Sequence, residues 1–288
     1  MKINRVLLVY KKSSYQRHAL DRKDRHFLKL LRQNNISSWS SRQTHERHMK
    51  TLQVVKNILS DFGIHYDVRL RYRLDNLPSY DLVITIGGDG TFLETSHFIR
   101  GTPIMGINST PAVSVGYFCK TDSESFKRKM KRFLQGNCRF ESLHRVRATV
   151  NGKPAGPLAL NDILFTSRNP ADTSRYLIGR GKRREEQKSS GVWIASAAGS
   201  TAAIASAGGK TLPLHTAKFE YRVRELYHTR GKTCRLLHGI LSPHEKLTIV
   251  SNMNHGALYF DGPHSIAPVR RGDVIRFEQA NDPVRAIW

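Results

Sequence analysis

The stretch with the clearest chemistry is the GGDGT run at residues 87–91, which follows an apolar segment at residues 82–86. Glycines let a backbone approach a ligand closely. A helix beginning at Thr91 would direct free N–H groups at the same point, which suits phosphate. A carboxylate such as Asp89 would repel that phosphate unless it holds Mg²⁺ or accepts a proton from a hydroxyl group. The run therefore predicts phosphoryl transfer to an alcohol; the alternative is an ordinary turn built from Gly and Asp.

Two further stretches place polar or very small residues where chemistry could use them. Asn161 and Asp162 separate apolar residues at 158–160 from apolar residues at 163–165, and such a pair must find partners if it is buried. Gly, Ser and Thr at 199–201 precede a run of small residues that ends at Gly209. The polar pair is a ligand contact or a turn. The small-residue stretch is a helix cap or a helix entrance close to a ring or a phosphate.

Alternating strands and helices in the first half of the chain are expected to position the GGDGT run. The predicted strands lie at residues 5–10, 64–70, 82–86 and 104–107, and the predicted helices at 16–32, 44–59 and 91–99. This alternation is typical of a parallel sheet covered by helices. Ligands of such sheets bind at the carboxyl ends of the strands, where the glycine run and Asn108 fall.

Short β-rich runs separated by Gly, Pro, Asn and Ser follow residue 136, and they predict an antiparallel β domain. A basic amphipathic helix at residues 122–134 precedes them as a candidate connector. The last residues, 284–288, are apolar except for Arg285 and must pack on something, and the first domain is the candidate surface. A length of 288 residues is comfortable for two domains.

The bulk composition limits the class of protein. No apolar run approaches the roughly 18 residues that span a bilayer, and a strand at 6–10 leaves no room for a leader peptide, so we expect a protein without membrane contact. Three cysteines without CxxC spacing favour a reducing, cytoplasmic location. The 47 basic and 23 acidic residues leave a net charge of +24, which attracts polyanions. The basic blocks lack interleaved aromatic residues, so nucleic-acid binding is the less favoured interpretation.

Taken together and in this order, the motifs resemble the NAD kinase family. They are GGDGT at 87–91, GIN at 106–108, LND at 160–162, AGSTAA-x-x-SAGG at 198–209 and FDG at 260–262. The AGSTAA-x-x-SAGG motif and the residues before it are most similar to those of the plant NADH kinase branch, since Ser190 and Ala203 stand where the common bacterial form has an acid and a tyrosine. The segment STPAVSVGYF at 109–118 also replaces the usual short glycine turn.

The resemblance implies an α/β + β fold: a Rossmann-like parallel-sheet domain at residues 1–120, and an antiparallel, β-sandwich-like nucleotide-substrate domain at 137–278. Residues 121–136 would connect them, and residues 279–288 would return to the first domain. It also implies transfer of the γ-phosphoryl group of ATP, or of another phosphate donor, to the 2′-hydroxyl of the adenosine ribose of NAD or NADH. Self-association as a homodimer or homotetramer is implied as well.

Site residues follow from the resemblance position by position. Asp89 would be the general base, and the donor phosphates would be held by Gly87, Gly88, Gly90 and Thr91. The NAD(H) contacts would be Asn161, Asp162, Thr201, Ala202, Ser206 and Asp261. Mg²⁺ or another divalent cation would arrive with ATP rather than on dedicated protein ligands.

Two other functions remain open. A lipid kinase of the diacylglycerol or sphingosine type shares the GGDGT turn, and Glu94 stands where such enzymes often have an acid; the pair at 161–162 and the stretch at 199–209 do not fit it. The second alternative is a basic nucleotide or nucleic-acid binder without catalysis. The presence of Asp89 argues against it, because a binder gains nothing from an acid beside phosphates.

Overall fold

The computed structural model describes residues 3–33, 36–75, 77–112, 114–228 and 233–288, and only the backbone of residues 36–40. The chain divides into two compact units. Unit 1 contains Met1–Glu141 and Arg285–Trp288, and unit 2 contains Ser142–Val284. Within the described residues, no helix combines the length and the apolar character needed to cross a membrane.

Unit 1 is an α/β layer structure. Its strands are β1 (Val6–Tyr10), β2 (Tyr66–Leu70), β3 (Leu82–Gly87), β4 (Ile104–Asn108), β5 (Phe140–Leu143) and, at the end of the chain, β18 (Val284–Ile287). Its helices are α1 (Arg25–Arg32), α2 (Ile36–Asp61), α3 (Asp89–Ser96) and α4 (Phe126–Leu134), with a π-helix at Gln16–Asp21. The strand order is β2-β1-β3-β4-β18-β5.

The strands β1, β3 and β4 are mostly apolar and pair in parallel, as the sequence pattern predicted. Every residue of β3 is buried, which is expected for a strand covered on both faces. Helix α4 contributes Phe126, Met130 and Phe133 to the core of unit 1. The predicted helix at 16–32 is instead split, because Lys23 adopts a positive φ of 52° and Asp24 caps α1 through the amide of His26.

Unit 2 is built from two antiparallel six-stranded sheets. Their strands are β6 (Val146–Val150), β7 (Lys153–Pro154), β8 (Asp162–Ser167), β9 (Ser174–Arg180), β10 (Arg183–Ser189), β11 (Val192–Ser196), β12 (Phe219–Val223), β13 (His238–Leu241), β14 (Leu247–Ser251), β15 (Gly256–Phe260), β16 (Ser265–Val269) and β17 (Val274–Gln279). A short 3₁₀ helix, Ala198–Thr201, and α5 (Ala203–Ser206) follow β11.

One sheet has the order β10-β9-β14-β17-β6-β7, and the other has the order β13-β12-β11-β8-β15-β16. A single apolar core contains side chains from both sheets. Phe165 of β8 meets Tyr176 of β9 edge to face, with ring centroids 5.4 Å apart. The alternation of buried and less buried residues along β8 leaves one face of its sheet free for other contacts.

Candidate functional site

The glycine corner of unit 1 lies where β3 ends and α3 begins. Gly88 is the N-terminal capping residue, with no side chain to occupy the free N–H groups of the first turn. A Cβ added at Gly87 would lie 2.5 Å from Thr91 Oγ1, so the closeness of strand and helix requires glycine here. Thr91 is buried and its hydroxyl has no partner among the described residues. The corner therefore combines the positive end of a helix with a hydroxyl that lacks a partner among the described residues, which suits phosphate.

The Asp89 carboxylate is held in place by the segment that follows β4. Its Oδ2 accepts a hydrogen bond from the amide of Tyr117 at 2.8 Å, and its Oδ1 accepts one from the amide of Phe118 at 2.8 Å. An ionised carboxylate has about four lone-pair positions, so each oxygen keeps capacity for another donor. The sequence did not indicate this anchorage, because Tyr117 and Phe118 lie 28 and 29 positions after Asp89.

The anchoring segment is itself braced by Asn108. The Asn108 side chain donates to the carbonyl of Ser114 at 3.0 Å and accepts from the amide of Thr110 at 3.1 Å. Gly116 has φ of +63°, and a Cβ there would lie 2.5 Å from Asn108 Nδ2. The described residues of the segment 109–118 thus require glycine at position 116.

A buried histidine connects the corner to the end of β1. His48 Nε2 donates to the carbonyl of Lys11 at 2.8 Å, which leaves Nδ1 to accept from the Ser109 hydroxyl at 2.9 Å. The amide of Ser109 donates to the carbonyl of Gly87 at 2.9 Å. Burial lowers the pKa of His48 from 6.5 to about 4, so the ring is neutral at physiological pH. His48 was not found from the sequence, because a lone histidine in an amphipathic helix carries no motif.

In unit 2, Asp261 organises the Asn161-Asp162 turn. Its Oδ2 accepts from the amide of Leu160 at 2.8 Å, and its Oδ1 accepts from the amides of Asn161 at 2.7 Å and Asp162 at 3.1 Å. Asp261 has a positive φ of 49°, a conformation that Asp tolerates better than most residues. The Asp261 carboxylate therefore positions the pair at 161–162 through their backbone.

The side chains of that pair are poorly satisfied by the protein. Asn161 Oδ1 is buried without a hydrogen-bond partner among the described residues. Asp162 is 7% exposed. Burial first, and the charge of Asp261 second, raise the pKa of the Asp162 carboxyl from 3.8 to about 7. Groups in this condition are candidates for ligand contacts, since a ligand hydroxyl would relieve both costs.

The small-residue stretch packs directly on this turn. A Cβ added at Gly199 would collide with the backbone of Asn161, and the Ser196 amide donates to the Asn161 carbonyl at 2.9 Å. Unit 2 therefore brings the LND motif and the AGSTAA-x-x-SAGG motif together. Thr201 and Ser206 are exposed on the short helices, and Ala202 between them is half-buried.

A cavity of about 440 Å³ lies on the free face of the sheet that carries β8, with Asp162 in its lining. Leu164 of β8 pairs with Trp193 on one side and with Tyr259 on the other, and all three side chains line the cavity. The Arg224 guanidinium lies 5.7 Å from the centroid of the Trp193 ring. Trp193 and Tyr259 thus form an aromatic wall of the cavity. Such a wall beside a carboxyl group suits a planar heterocycle with attached hydroxyls. The sequence alone did not single out Trp193 or Tyr259.

Comparison with known proteins first identifies the fold class. The structure is similar to that of an NAD kinase from Archaeoglobus fulgidus in complex with ATP, with a TM-score of 0.69, 20% sequence identity, and coverage of 99% of this chain and 93% of that one. This similarity confirms the α/β + β fold. Residues 6–138 match the family model described as the ATP-NAD kinase N-terminal domain.

Two plant proteins are similar over most of their length. A probable NADH kinase of Oryza sativa subsp. japonica is 32% identical over 251 residues, which are 79% of this chain and 77% of the rice protein. An NADH kinase of Arabidopsis thaliana is 31% identical over 252 residues, 79% of each chain. This chain belongs to the NAD kinase family, as its motifs predicted.

Proposed function

We propose that the protein is an NAD(H) kinase, which transfers the γ-phosphoryl group of ATP to the 2′-hydroxyl of the adenosine ribose of NAD or NADH. The observation that carries the proposal is the acid-bearing glycine corner in a chain that belongs to this family. The two plant relatives are named NADH kinases, which favours NADH among the acceptors. The lipid-kinase and non-catalytic alternatives have no comparable support.

On the donor side, the backbone at Gly87, Gly88 and Gly90 and the Thr91 hydroxyl hold phosphate oxygens. Asp89 accepts the proton of the ribose hydroxyl as the oxygen attacks phosphorus, an effect typically worth about 10²- to 10⁴-fold in rate. Its two backbone donors fix the carboxylate in one orientation, which general-base catalysis requires. The γ-phosphorus–oxygen bond to the leaving diphosphate breaks as the new bond forms.

The divalent cation of this proposal arrives bound to the nucleotide. Among the described residues, no three His, Cys, Asp or Glu side chains cluster as metal ligands. Mg²⁺ bound to the ATP phosphates would supply neutralisation of their charge. Omission of Mg²⁺, with EDTA present, is expected to abolish turnover.

On the acceptor side, Asn161 and Asp162 hold ribose hydroxyls. The unpartnered Asn161 oxygen and the buried Asp162 carboxyl are the features that support this role. Asp261 acts by holding their backbone, while Thr201, Ala202 and Ser206 contribute to the nucleotide surface. The wall of Trp193 and Tyr259 offers a face on which one ring of the dinucleotide stacks.

The proposal is tested by offering the purified protein ATP and Mg²⁺ with NAD, NADH or a diacylglycerol in parallel. Formation of NADP or NADPH is expected, detected by a coupled NADP-specific dehydrogenase. Phosphorylation of the lipid alone would refute the proposal.

We also propose that the protein forms a homodimer or a homotetramer, and light scattering on the same sample measures its oligomeric state. Cell fractionation tests the proposed cytoplasmic location, which the free state of Cys119, Cys138 and Cys234 favours.

The role of Asp89 needs a control, because Asp89→Asn would remove both a base and an anchor of the loop at residues 109–118. Gly116→Ala disturbs that loop through its positive φ and the close Asn108 side chain, without changing Asp89. We expect Asp89→Asn to lower kcat about 10²- to 10⁴-fold, while Gly116→Ala mainly lowers the melting temperature. Equal losses of kcat in the two variants would instead assign Asp89 to loop anchorage.

A further inference from the structure

Two cationic side chains flank the glycine corner of unit 1, and neither belongs to a motif. Lys11 follows the last residue of β1, and Arg71 follows the last residue of β2. Because β1 pairs in parallel with β2 and with β3, the carboxyl ends of all three strands meet at one edge. The amide of Arg71 donates to the carbonyl of Tyr10 at 2.9 Å, which holds these ends together.

Both side chains approach the glycines themselves. A Cβ added at Gly87 would lie 3.7 Å from Lys11 Cδ, and a Cβ added at Gly90 would lie 3.6 Å from Arg71 Nη1. The Arg71 guanidinium is fixed against α3 by an ion pair with Glu94, with Nε to Oε2 at 3.0 Å. One basic side chain thus lies beside Gly87 and another beside Gly90.

Lys11 differs from its neighbour Lys12 in its surroundings. Lys12 forms an ion pair with Asp21 at 2.7 Å. Within the described part of the chain no carboxylate pairs with Lys11, which is partly buried. Burial first, then the charges of Arg71 and Arg17, lower the pKa of the Lys11 ammonium. A partly buried group of like charges is unfavourable in the absence of an anion, and the unpartnered, buried Thr91 hydroxyl is a donor at the same corner.

We propose that Lys11 and Arg71 bind the polyphosphate chain of the donor nucleotide, with Lys11 on the Gly87 side and Arg71 on the Gly90 side. The inference rests on the proposed function for the identity of the donor, and it adds the side chains that neutralise the donor's charge. A backbone cradle alone supplies partial charges, whereas a triphosphate needs full positive charges nearby. The chemistry recognised is the phosphate chain rather than the base.

The test is isothermal titration of the full-length protein with Mg-ATP and with inorganic tripolyphosphate. Lys11→Met is compared with Lys12→Met, a matched loss of one charge at the adjacent position. We expect Lys11→Met to weaken both ligands about 10- to 100-fold, as for loss of one charge-assisted contact, and Lys12→Met to change them less than about twofold. Arg71→Met should act like Lys11→Met, whereas Glu94→Gln, which breaks only the ion pair, should retain binding.

The outcomes separate this inference from the proposed function. Unchanged binding in Lys11→Met, or equal effects of Lys11→Met and Lys12→Met, would overturn the inference. So would a wild-type protein that binds neither ligand. Binding that weakens as expected, in a protein that makes no NADP(H), would support the inference and refute the proposed acceptor. Where turnover is present, Lys11→Met should raise KM for ATP and leave KM for NAD unchanged.

Discussion

The raised pKa of Asp162 predicts that this carboxyl destabilises unit 2 at neutral and alkaline pH. Its pKa lies near 7 in the folded protein against the ordinary aspartate value of 3.8, because of burial and then the charge of Asp261. Between these two values the folded state binds a proton that the unfolded state has lost. The free energy of unfolding contributed by this group therefore falls as pH rises from about 4 to 7, and is constant above that range.

The magnitude follows from the shift. Each pKa unit corresponds to about 1.4 kcal/mol, so the full difference of roughly three units is worth about 4 kcal/mol. The range from pH 5 to about pH 7, where the folded carboxyl still holds a proton that the unfolded one has lost, covers about two of these pH units. The change in the free energy of unfolding between pH 5 and pH 8 is therefore about 3 kcal/mol. Asp162→Asn preserves the shape of the side chain and removes the titration. Relative to the wild type, the variant should gain about 3 kcal/mol of stability between these two pH values.

Urea unfolding followed by circular dichroism, at pH 5 and pH 8, measures this change as the difference between variant and wild type. Asp172→Asn, a change of an exposed acid in the same unit, controls for the general effect of lost charge. A stability difference for Asp162→Asn that is equal at the two pH values would refute the reasoning. In the presence of NADH the difference should shrink, because ribose hydroxyls that donate to the carboxylate favour its ionised form.

Two further predictions concern the supports of the site. The pKa of His48 is about 4 in the folded protein against 6.5 for an ordinary histidine, so its contribution to stability is present above pH 6.5 and is lost as pH falls. In the wild type this loss amounts to about 2 kcal/mol between pH 7 and pH 5. His48→Gln should remove it, which urea unfolding measures as the difference between variant and wild type at the two pH values. Gly199→Ala should cost about 1–3 kcal/mol or more and raise KM for NAD, because the added methyl group displaces the Asn161 backbone. Gly179→Ala, whose Cβ would meet only an ordinary 3.4 Å contact in the same unit, is its control, and equal melting temperatures for the two variants would contradict the prediction.

Features encoded in short stretches of sequence could be predicted. The buried strand β3, the turn at Gly87–Gly90 and the helix after it follow from local apolar patterning and glycine placement. The antiparallel strands of unit 2 were likewise predicted from short β-rich runs separated by Gly, Pro, Asn and Ser. Lys11 and Arg71 were within reach of the same reasoning, because each follows the last residue of a predicted parallel strand.

Other features depend on contacts between distant residues, and local patterns do not contain them. The hydrogen bonds of Asp89 to residues 117 and 118, and those of Asp261 to residues 160–162, join positions 28 to 101 apart. The aromatic wall requires that Trp193 and Tyr259 flank Leu164, which is set by the register of three strands. A single sequence specifies such a register only through the packing of the whole sheet.

Under the proposed function, Asp89 and Asp261 are acids placed where an anionic nucleotide would bind, and the surrounding backbone reduces the resulting repulsion in the same way at both. Each carboxylate accepts hydrogen bonds from backbone amides of a segment distant in sequence. These N–H dipoles offset part of the negative charge, so that repulsion of a nearby phosphate is reduced while lone pairs remain for a hydroxyl. The same bonds fix the segments that carry the other contacts, the loop at 109–118 in unit 1 and the turn at 160–162 in unit 2. Under the proposed function an acid at such a position would both support the site and act in it, so a substitution there must be compared with one that disturbs only the supported segment.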